Sequence, residues 1–278
     1  MRYVATGRLA RVATYLDDIV AYHRARALAD ERSSADVERA AAAAADPRPF
    51  VDALLAARSA SPNHIAVVAE VKRRSPSKGD LAPDLDPAVI AASYERGGAA
   101  CVSVLTDGAH FGGSPADLAA ARAAVRVPVL RKDFTVCERD VLDARAMGAD
   151  AVLLIVAVLE DGELASLSRV ARDVGLAALV EIHDERELER ALAAGARLVG
   201  VNQRDLHTFA VDTDRAESVR TAIPSGVVTV AESGVRGAID AKRLGAGGFD
   251  AVLVGESLVT ARDPAAAVRE LLGGPPCS

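Results

Sequence analysis

Six apolar runs of this 278-residue chain end in residues that can move protons or bind anions. The first closes on Glu70-Val71-Lys72 and another on Arg131-Lys132-Asp133. The others close on Glu181-Ile182-His183, Asn202-Gln203-Arg204-Asp205, Glu232-Ser233-Gly234 and Gly255-Glu256-Ser257. Lysines and carboxylates gathered at one place supply general acids and bases. Glycine beside serine at a strand end lets backbone amides close on a phosphate. A single strand-end charge simply meets solvent at a rim, and a single glycine simply makes a turn. Six polar ends together, with paired glycines on two adjacent runs, point instead to a site for a phosphorylated molecule.

These residues need a frame that brings strand ends together. Apolar runs recur at 65–71, 101–105, 127–130, 151–156, 177–182, 198–201, 227–231 and 251–254. Continuous apolar runs suit strands buried on both faces, and the lengths between them suit crossover helices. Gly98-Ala99, Gly148-Ala149, Gly195-Ala196 and Gly245-Ala246 precede runs, where a left-handed glycine would turn the chain out of a helix. Eight such units without an evident linker predict an α/β fold, a closed (β/α)₈ TIM barrel, with an open doubly wound sheet as the alternative. Active sites of barrels form at the C-terminal ends of the strands. Glu70 and Lys72, two apart, share a face, which is the interior if Val71 packs outward.

Residues 1–62 read differently, as an N-terminal helical extension of one barrel domain spanning 1–278. Leu16, Ile19, Val20 and Tyr22 fall at roughly helical spacing, and the 40–45 stretch is alanine-rich. Breaks are expected near Asp46-Pro47 and Ser61-Pro62. Arg24, Arg26, Asp30, Glu31 and Arg32 read as a solvated face, and the tail 273–278 as frayed.

Composition narrows the function classes. The net charge is -6, with 26% charged residues, which speaks against a general nucleic-acid binder. Cys101, Cys137 and Cys277 are sparse and odd in number, as reduced thiols of a cytoplasmic protein would be. Residues 1–9 are too polar for a signal peptide, and no run is apolar and long enough to span a membrane. No metal-ligand spacing and no nucleotide fingerprint is visible. His183 follows Glu181 by two and so shares its face, whereas His64, His110 and His207 fall in loops; each histidine is expected to be solvated or structural.

Taken together, the segments resemble the indole-3-glycerol-phosphate synthase family over about residues 10–270. The resemblance is carried by Ala69-Glu70-Val71-Lys72-Arg73-Arg74-Ser75-Pro76-Ser77-Lys78-Gly79, Leu130-Arg131-Lys132-Asp133-Phe134 and Leu179-Val180-Glu181-Ile182-His183-Asp184. It continues in Gly200-Val201-Asn202-Gln203-Arg204-Asp205-Leu206, Ala231-Glu232-Ser233-Gly234 and Val254-Gly255-Glu256-Ser257-Leu258. Gln203 stands where many members have asparagine, and Arg74 where many have alanine.

The resemblance implies a carboxy-lyase of tryptophan biosynthesis. Its substrate would be 1-(2-carboxyphenylamino)-1-deoxyribulose 5-phosphate, which loses CO₂ and water as an indole ring closes. Lys132 would be the general acid at the ketone, and Glu181 and Glu70 the acid/base carboxylates. Lys72 would contact phosphate or assist dehydration, while Asn202 and Arg204 position substrate. Glu232, Ser233, Gly234, Gly255 and Glu256 (the last by its backbone) would hold substrate and phosphate, so that bulk at Gly234 or Gly255 would intrude on the anion. Ser75 and Phe134 would line the aromatic side, and Arg73 to Gly79 would form a loop able to close over the site. No redox or hydride step is needed, so no cofactor and no metal is expected; the partner is the small phosphorylated substrate, and the chain is expected to be a monomer. The competing readings are a neighbouring isomerase, a sugar-phosphate aldolase with a Schiff-base lysine, and a non-catalytic phosphate-binding barrel.

Overall fold

The computed structural model describes residues 15–75, 78–205 and 210–274. Residues 1–9, Pro76 and Ser77 of the first loop, His207, and the tail from Pro275 with Cys277 lie outside them. Among the described residues no helix is long and apolar enough to cross a membrane.

Eight parallel strands close on themselves, each hydrogen-bonded to the next and the last to the first. They are β1 (Ala66–Val71), β2 (Cys101–Leu105), β3 (Val129–Lys132), β4 (Ala151–Ile155), β5 (Ala177–Ile182), β6 (Leu198–Asn202), β7 (Val228–Glu232) and β8 (Ala251–Val254). The open sheet is thereby excluded. The third strand starts at Val129 rather than residue 127, because Pro128 has no N–H to give the ladder, although its carbonyl accepts from Val102 N at 2.9 Å.

Strand alternation sorts the side chains. Val67, Ala69, Val180, Ile182, Val199 and Val201 pack outward with the helices in one apolar cluster. Ala66, Val68, Leu130, Leu179, Val230 and Leu253 pack inside the barrel in another. Period two then carries the inward direction up to Glu70, Lys132, Glu181, Asn202, Glu232 and Gly255. Apolar side chains fill the lower layers, and the polar ones form the uppermost layer.

Helices α1 (Tyr15–Leu28), α2 (Ser34–Ala43) and α3 (Phe50–Ala60) precede β1. Ser33 caps α2, its hydroxyl accepting from Asp36 N at 3.1 Å. Phe50 and Leu54 of α3 are buried in the interior cluster and plug the lower end of the barrel, each worth roughly 1.5–3 kcal/mol. The buried stripe of α1 is Leu16, Ile19 and His23, so His23 takes an inward place that the sequence pattern gave to Tyr22, which is half exposed.

Arg26, Glu31 and Arg32 are exposed, as a solvated face requires, but three arginines of that face also clasp the barrel. Arg24 donates to both carboxylate oxygens of Glu163 at 2.7 and 2.8 Å, Arg26 to Asp140 at 2.5 Å, and Arg32 to Asp143 at 2.8 Å. These partners lie on α7 (Glu138–Ala146) and α8 (Asp161–Asp173). Paired carboxylates let an arginine fork bind two points at once, which a lone surface charge would not.

Among the predicted glycine turns, Gly98, Gly148 and Gly195 have positive φ, but Gly245 does not. Gly245 lies inside α11 (Ala238–Ala246), where a side chain would collide with the Asn63 carbonyl, and the left-handed turn falls at Gly248 with φ 90°. Two short helices, Gly108–Phe111 after β2 and Glu256–Val259 after β8, contribute to the lining of the mouth.

Candidate active site

The uppermost interior layer is a compact charged cluster. Lys132 Nζ lies 3.4 Å from Glu181 Oε2 and 3.6 Å from Glu232 Oε2. Lys72 Nζ lies 2.6 Å from Glu70 Oε2. Glu70, Glu181 and Glu232 are 4%, 1% and 2% exposed, so these carboxylates are stabilised by partners rather than by bulk water. Asn202 Nδ2 donates to Glu181 Oε1 at 3.0 Å, and Asn202 Oδ1 accepts from Arg204 N at 3.0 Å. Glu232 Oε1 has no partner among the described residues. The absence of a side chain at Gly200 makes room for this carboxylate, since a Cβ there would collide with Glu232 Oε1 and sit 3.1 Å from its Cδ.

These surroundings divide the protons. Burial works against the Lys132 cation, but Glu181, Glu232 and Glu70 outweigh it and raise its pKa well above the ordinary lysine range. Burial would raise Glu181, yet attraction to Lys132 and His183 and the bonds from Asn202 and Lys132 bring it below the usual carboxylate value. Glu232 moves the other way: burial, then repulsion from Glu181, push it up to about 8, against the pull of Lys132. The layer thus favours an ammonium at Lys132 and a carboxylate at Glu181, and favours the protonated form of Glu232. Glutamates with opposed environments are what a site needs to hold an acid and a base at once.

The layer floors a cavity of about 530 Å³. On one side β7 ends in Ser233 and Gly234, with φ of 65° and 76°, and Gln203 Nε2 donates to Ser233 O at 2.6 Å. Such a turn forms a backbone concavity suited to an anion. Gly255 follows β8 and borders the same side, with Glu256 and Ser257 beyond it. Lys78 closes the rim with an ion pair to Glu256.

Two expectations about this side change. A side chain at Gly255 would run into Glu70 and come within 3.0 Å of Lys72 Nζ, and one at Gly234 would meet Val211 at 2.8 Å. Bulk at either glycine therefore deforms neighbouring protein before it reaches an anion. Glu232, grouped with the phosphate loop by sequence, directs its carboxylate to Lys132 within the charged layer.

On the opposite side the wall is aromatic and apolar. Phe134 and Phe111 line it with ring centroids 6.3 Å apart, together with Leu105, Leu153 and Ile155. Ser75 lines the cavity too, its buried hydroxyl without a partner among the described residues. Sequence reasoning missed the ends of β2 and β4. Ile155 offers no charge to notice, whereas Asp107 and Phe111 could have been found as an acid and an aromatic beside the glycines 108, 112 and 113.

His183 lies behind Glu181 without lining the cavity, with Nε2 3.9 Å from Glu181 Oε1 and Nδ1 3.0 Å from Glu187 Oε2. His64 is exposed. His110 is tied by Nδ1 to Asp107 at 2.9 Å, a structural role. His23, Asp107 and His110 bring three potential ligand atoms within 4.8 Å of one another. Both rings approach the same Asp107 oxygen, at 2.7 and 2.9 Å, which are hydrogen-bond distances that a cation would have to break.

The fold has distant relatives among solved barrels. The 3-hexulose-6-phosphate synthase structure aligns with a TM-score of 0.58 at 17% identity, covering 75% of this chain and 99% of that one. A thiamine phosphate pyrophosphorylase from Pyrococcus furiosus aligns at 0.56 and 17%, covering 74% and 93%. At this identity the likeness concerns fold alone. Sequence relatives are much nearer. An indole-3-glycerol phosphate synthase of Nocardioides sp. is 53% identical over 93% of this chain and 98% of its own length. One of the two from Streptomyces coelicolor is 51% identical over 92% and 94%, and that of Mycobacterium ulcerans 50% over 94% of each. The family profile described as indole-3-glycerol phosphate synthase matches residues 16–271, from the buried face of α1 to the last helix and through every strand that carries the charged layer. With near relatives aligned over more than nine tenths of each chain and the profile spanning the whole barrel, the chain belongs to the indole-3-glycerol phosphate synthase family.

Proposed function

We propose that the chain converts 1-(2-carboxyphenylamino)-1-deoxyribulose 5-phosphate to indole-3-glycerol phosphate, releasing CO₂ and water, by general acid/base catalysis in the charged layer. Family membership supplies the reaction; the observation that supports these residue roles is Lys132 set between Glu181 and Glu232 at 3.4 and 3.6 Å beside an aromatic wall.

Ring closure requires the aryl carbon to attack the ketone, and the oxygen that gains charge needs an acid. Lys132 is held as an ammonium and can give its proton there. The same charge argues against an aldolase, whose Schiff-base lysine needs a lowered pKa to act as a nucleophile. The ring carboxyl leaves as CO₂. A departing hydroxyl then needs a second acid, for which Lys72 on Glu70 and the protonated Glu232 are both within the layer. Glu181, ionised and oriented by Asn202, is the base that removes the last proton as the ring becomes aromatic.

We assign the phosphate to the side of Ser233, Gly234, Gly255 and the Glu256 backbone, near Lys72. Arg204 and Asn202 hold the middle of the molecule, and Ser75 and Phe134 the aromatic end. The working unit is expected to be a monomer, which sedimentation tests. The activity is tested by incubating the protein with the substrate and following indole fluorescence together with evolved CO₂. Fluorescence and CO₂ rising in equal amounts is the expected result; turnover without CO₂, or borohydride trapping of a lysine adduct, overturns it.

A further inference from the structure

We propose that His23, on α1 outside the barrel, is a positioning residue for the aromatic half of the site: it joins the loops after β2 and β3 and fixes the two phenylalanines that receive the substrate's carboxyphenyl ring. The inference rests on the assignment of the aromatic end to Phe134 made above.

His23 is 2% exposed and reaches the mouth from the side. Its Nε2 lies 2.7 Å from Asp107 Oδ2 and 3.8 Å from Asp133 Oδ1. Asp107, just past β2, uses its other oxygen to accept from the backbone N–H groups of His110 at 2.6 Å and Phe111 at 3.3 Å. Asp133, just past β3, accepts from Phe134 N at 2.8 Å and is itself held by Arg131 at 2.9 Å. Each aspartate therefore sets the backbone of one wall phenylalanine, and the imidazole stands between the aspartates. The ring of His23 also packs on Phe134 directly, with centroids 5.3 Å apart and planes inclined by 34°.

Nothing in the helix itself calls for a histidine here. Leu16 and Ile19 fill the same buried stripe with apolar side chains, and His23 leaves Nδ1 buried with no partner among the described residues. An unpaired buried nitrogen is costly. What the imidazole adds over leucine is a donor aimed at a carboxylate that burial would otherwise raise but that hydrogen bonds from His23 and His110 keep well below its ordinary pKa. His23 does not line the cavity, whereas Asp107, Phe111 and Phe134 do, so its effect on substrate passes through them.

The test separates the two ends of the substrate. Steady-state kinetics are measured for the parent, His23→Ala, His23→Gln and Phe134→Ala, with inhibition by 2-aminobenzoate as the aromatic-end probe and by inorganic phosphate as the other. For His23→Ala we expect KM and the 2-aminobenzoate Ki to rise ~10-fold, with kcat and the phosphate Ki within ~3-fold of the parent. His23→Gln, which can still donate to Asp107, should recover most of that loss, and it carries the test if the alanine variant does not fold. An unchanged 2-aminobenzoate Ki in a folded His23→Ala, or equal weakening of both probes, overturns the role of His23. If Phe134→Ala leaves 2-aminobenzoate binding unchanged, the aromatic end lies elsewhere and the underlying assignment fails first.

Discussion

Replacing Glu232 by glutamine should flatten the pH dependence of stability while damaging catalysis. The parent carboxyl is displaced from an ordinary 4.5 to about 8 by burial and by its neighbours Glu181 and Glu70. Each pH unit of displacement corresponds to about 1.4 kcal/mol, so the ionised group is disfavoured in its folded site by roughly 5 kcal/mol relative to water. The folded protein binds the proton more tightly than the unfolded chain. This contribution is therefore fully present below pH 4.5 and is lost progressively as pH rises to about 8, after which it levels off. Glutamine keeps the shape and stays neutral throughout. His183 is raised as well, burial opposing and Glu187 and Glu181 outweighing it, so it loses stability over part of the same range in both proteins. The difference between the two proteins isolates Glu232. Melting curves at pH 6 and pH 9 should show the parent losing more stability than Glu232→Gln by about 3 kcal/mol, since two of the titrating pH units lie in that interval, or about 5 °C or more in Tm. If the two proteins lose stability in parallel over that interval, Glu232 is already ionised in the folded state, and its assignment as a proton holder is wrong.

Two further outcomes are expected. Lys132→Met should reduce kcat by ~10² or more with a small change in KM, and Glu181→Gln should be comparably harmful. Stopped-flow single turnovers check this, and near-parent kcat in Lys132→Met with none in Lys78→Met would move the acid to the rim. Gly200→Ala, one step below the charged layer on β6, should lower kcat ~10-fold or more because the new methyl displaces the Glu232 carboxylate, and overpacking should also cost about 1–3 kcal/mol of stability. Unaltered turnover in that variant would mean that the Glu232 position does not matter to the chemistry.

The barrel was legible because burial on both faces writes each strand as an apolar run, and because period two fixes which strand-end residue points inward. Glu70, Lys132, Glu181 and Asn202 follow from that rule alone. The rule identifies a position but not what lies opposite it, so the proton on Glu232 could not be read: it depends on Gly200 leaving space and on Glu181 two strands away. His23 was invisible for a stronger reason. Its partner Asp107 is 84 residues distant, and nothing in the local pattern of α1 distinguishes a core histidine from one that holds a loop. The carboxylates that the arginines of the extension clasp were likewise not legible, because an exposed charge carries no mark of the partner it will meet.

The plug formed by α3 has a consequence for the order of events in folding. Its ties run to the far end of the chain: Arg58 donates to Asp250 across 192 residues, and Ser61 Oγ to Leu272 O across 211. Contacts of such separation form only after most of the intervening chain has been brought into place, since loop closure must be met before they add anything. Helices made before β1 are thus among the last elements to find their partners. Until β7, β8 and the final helix exist, Phe50 and Leu54 have only part of their final surface to cover, and the open lower end of a partial barrel offers them to other chains. Refolding should accordingly pass through a barrel-like species with an undocked extension, and substitutions of Arg58 or Asp250 should slow its closure more than they alter the chemistry at the opposite end.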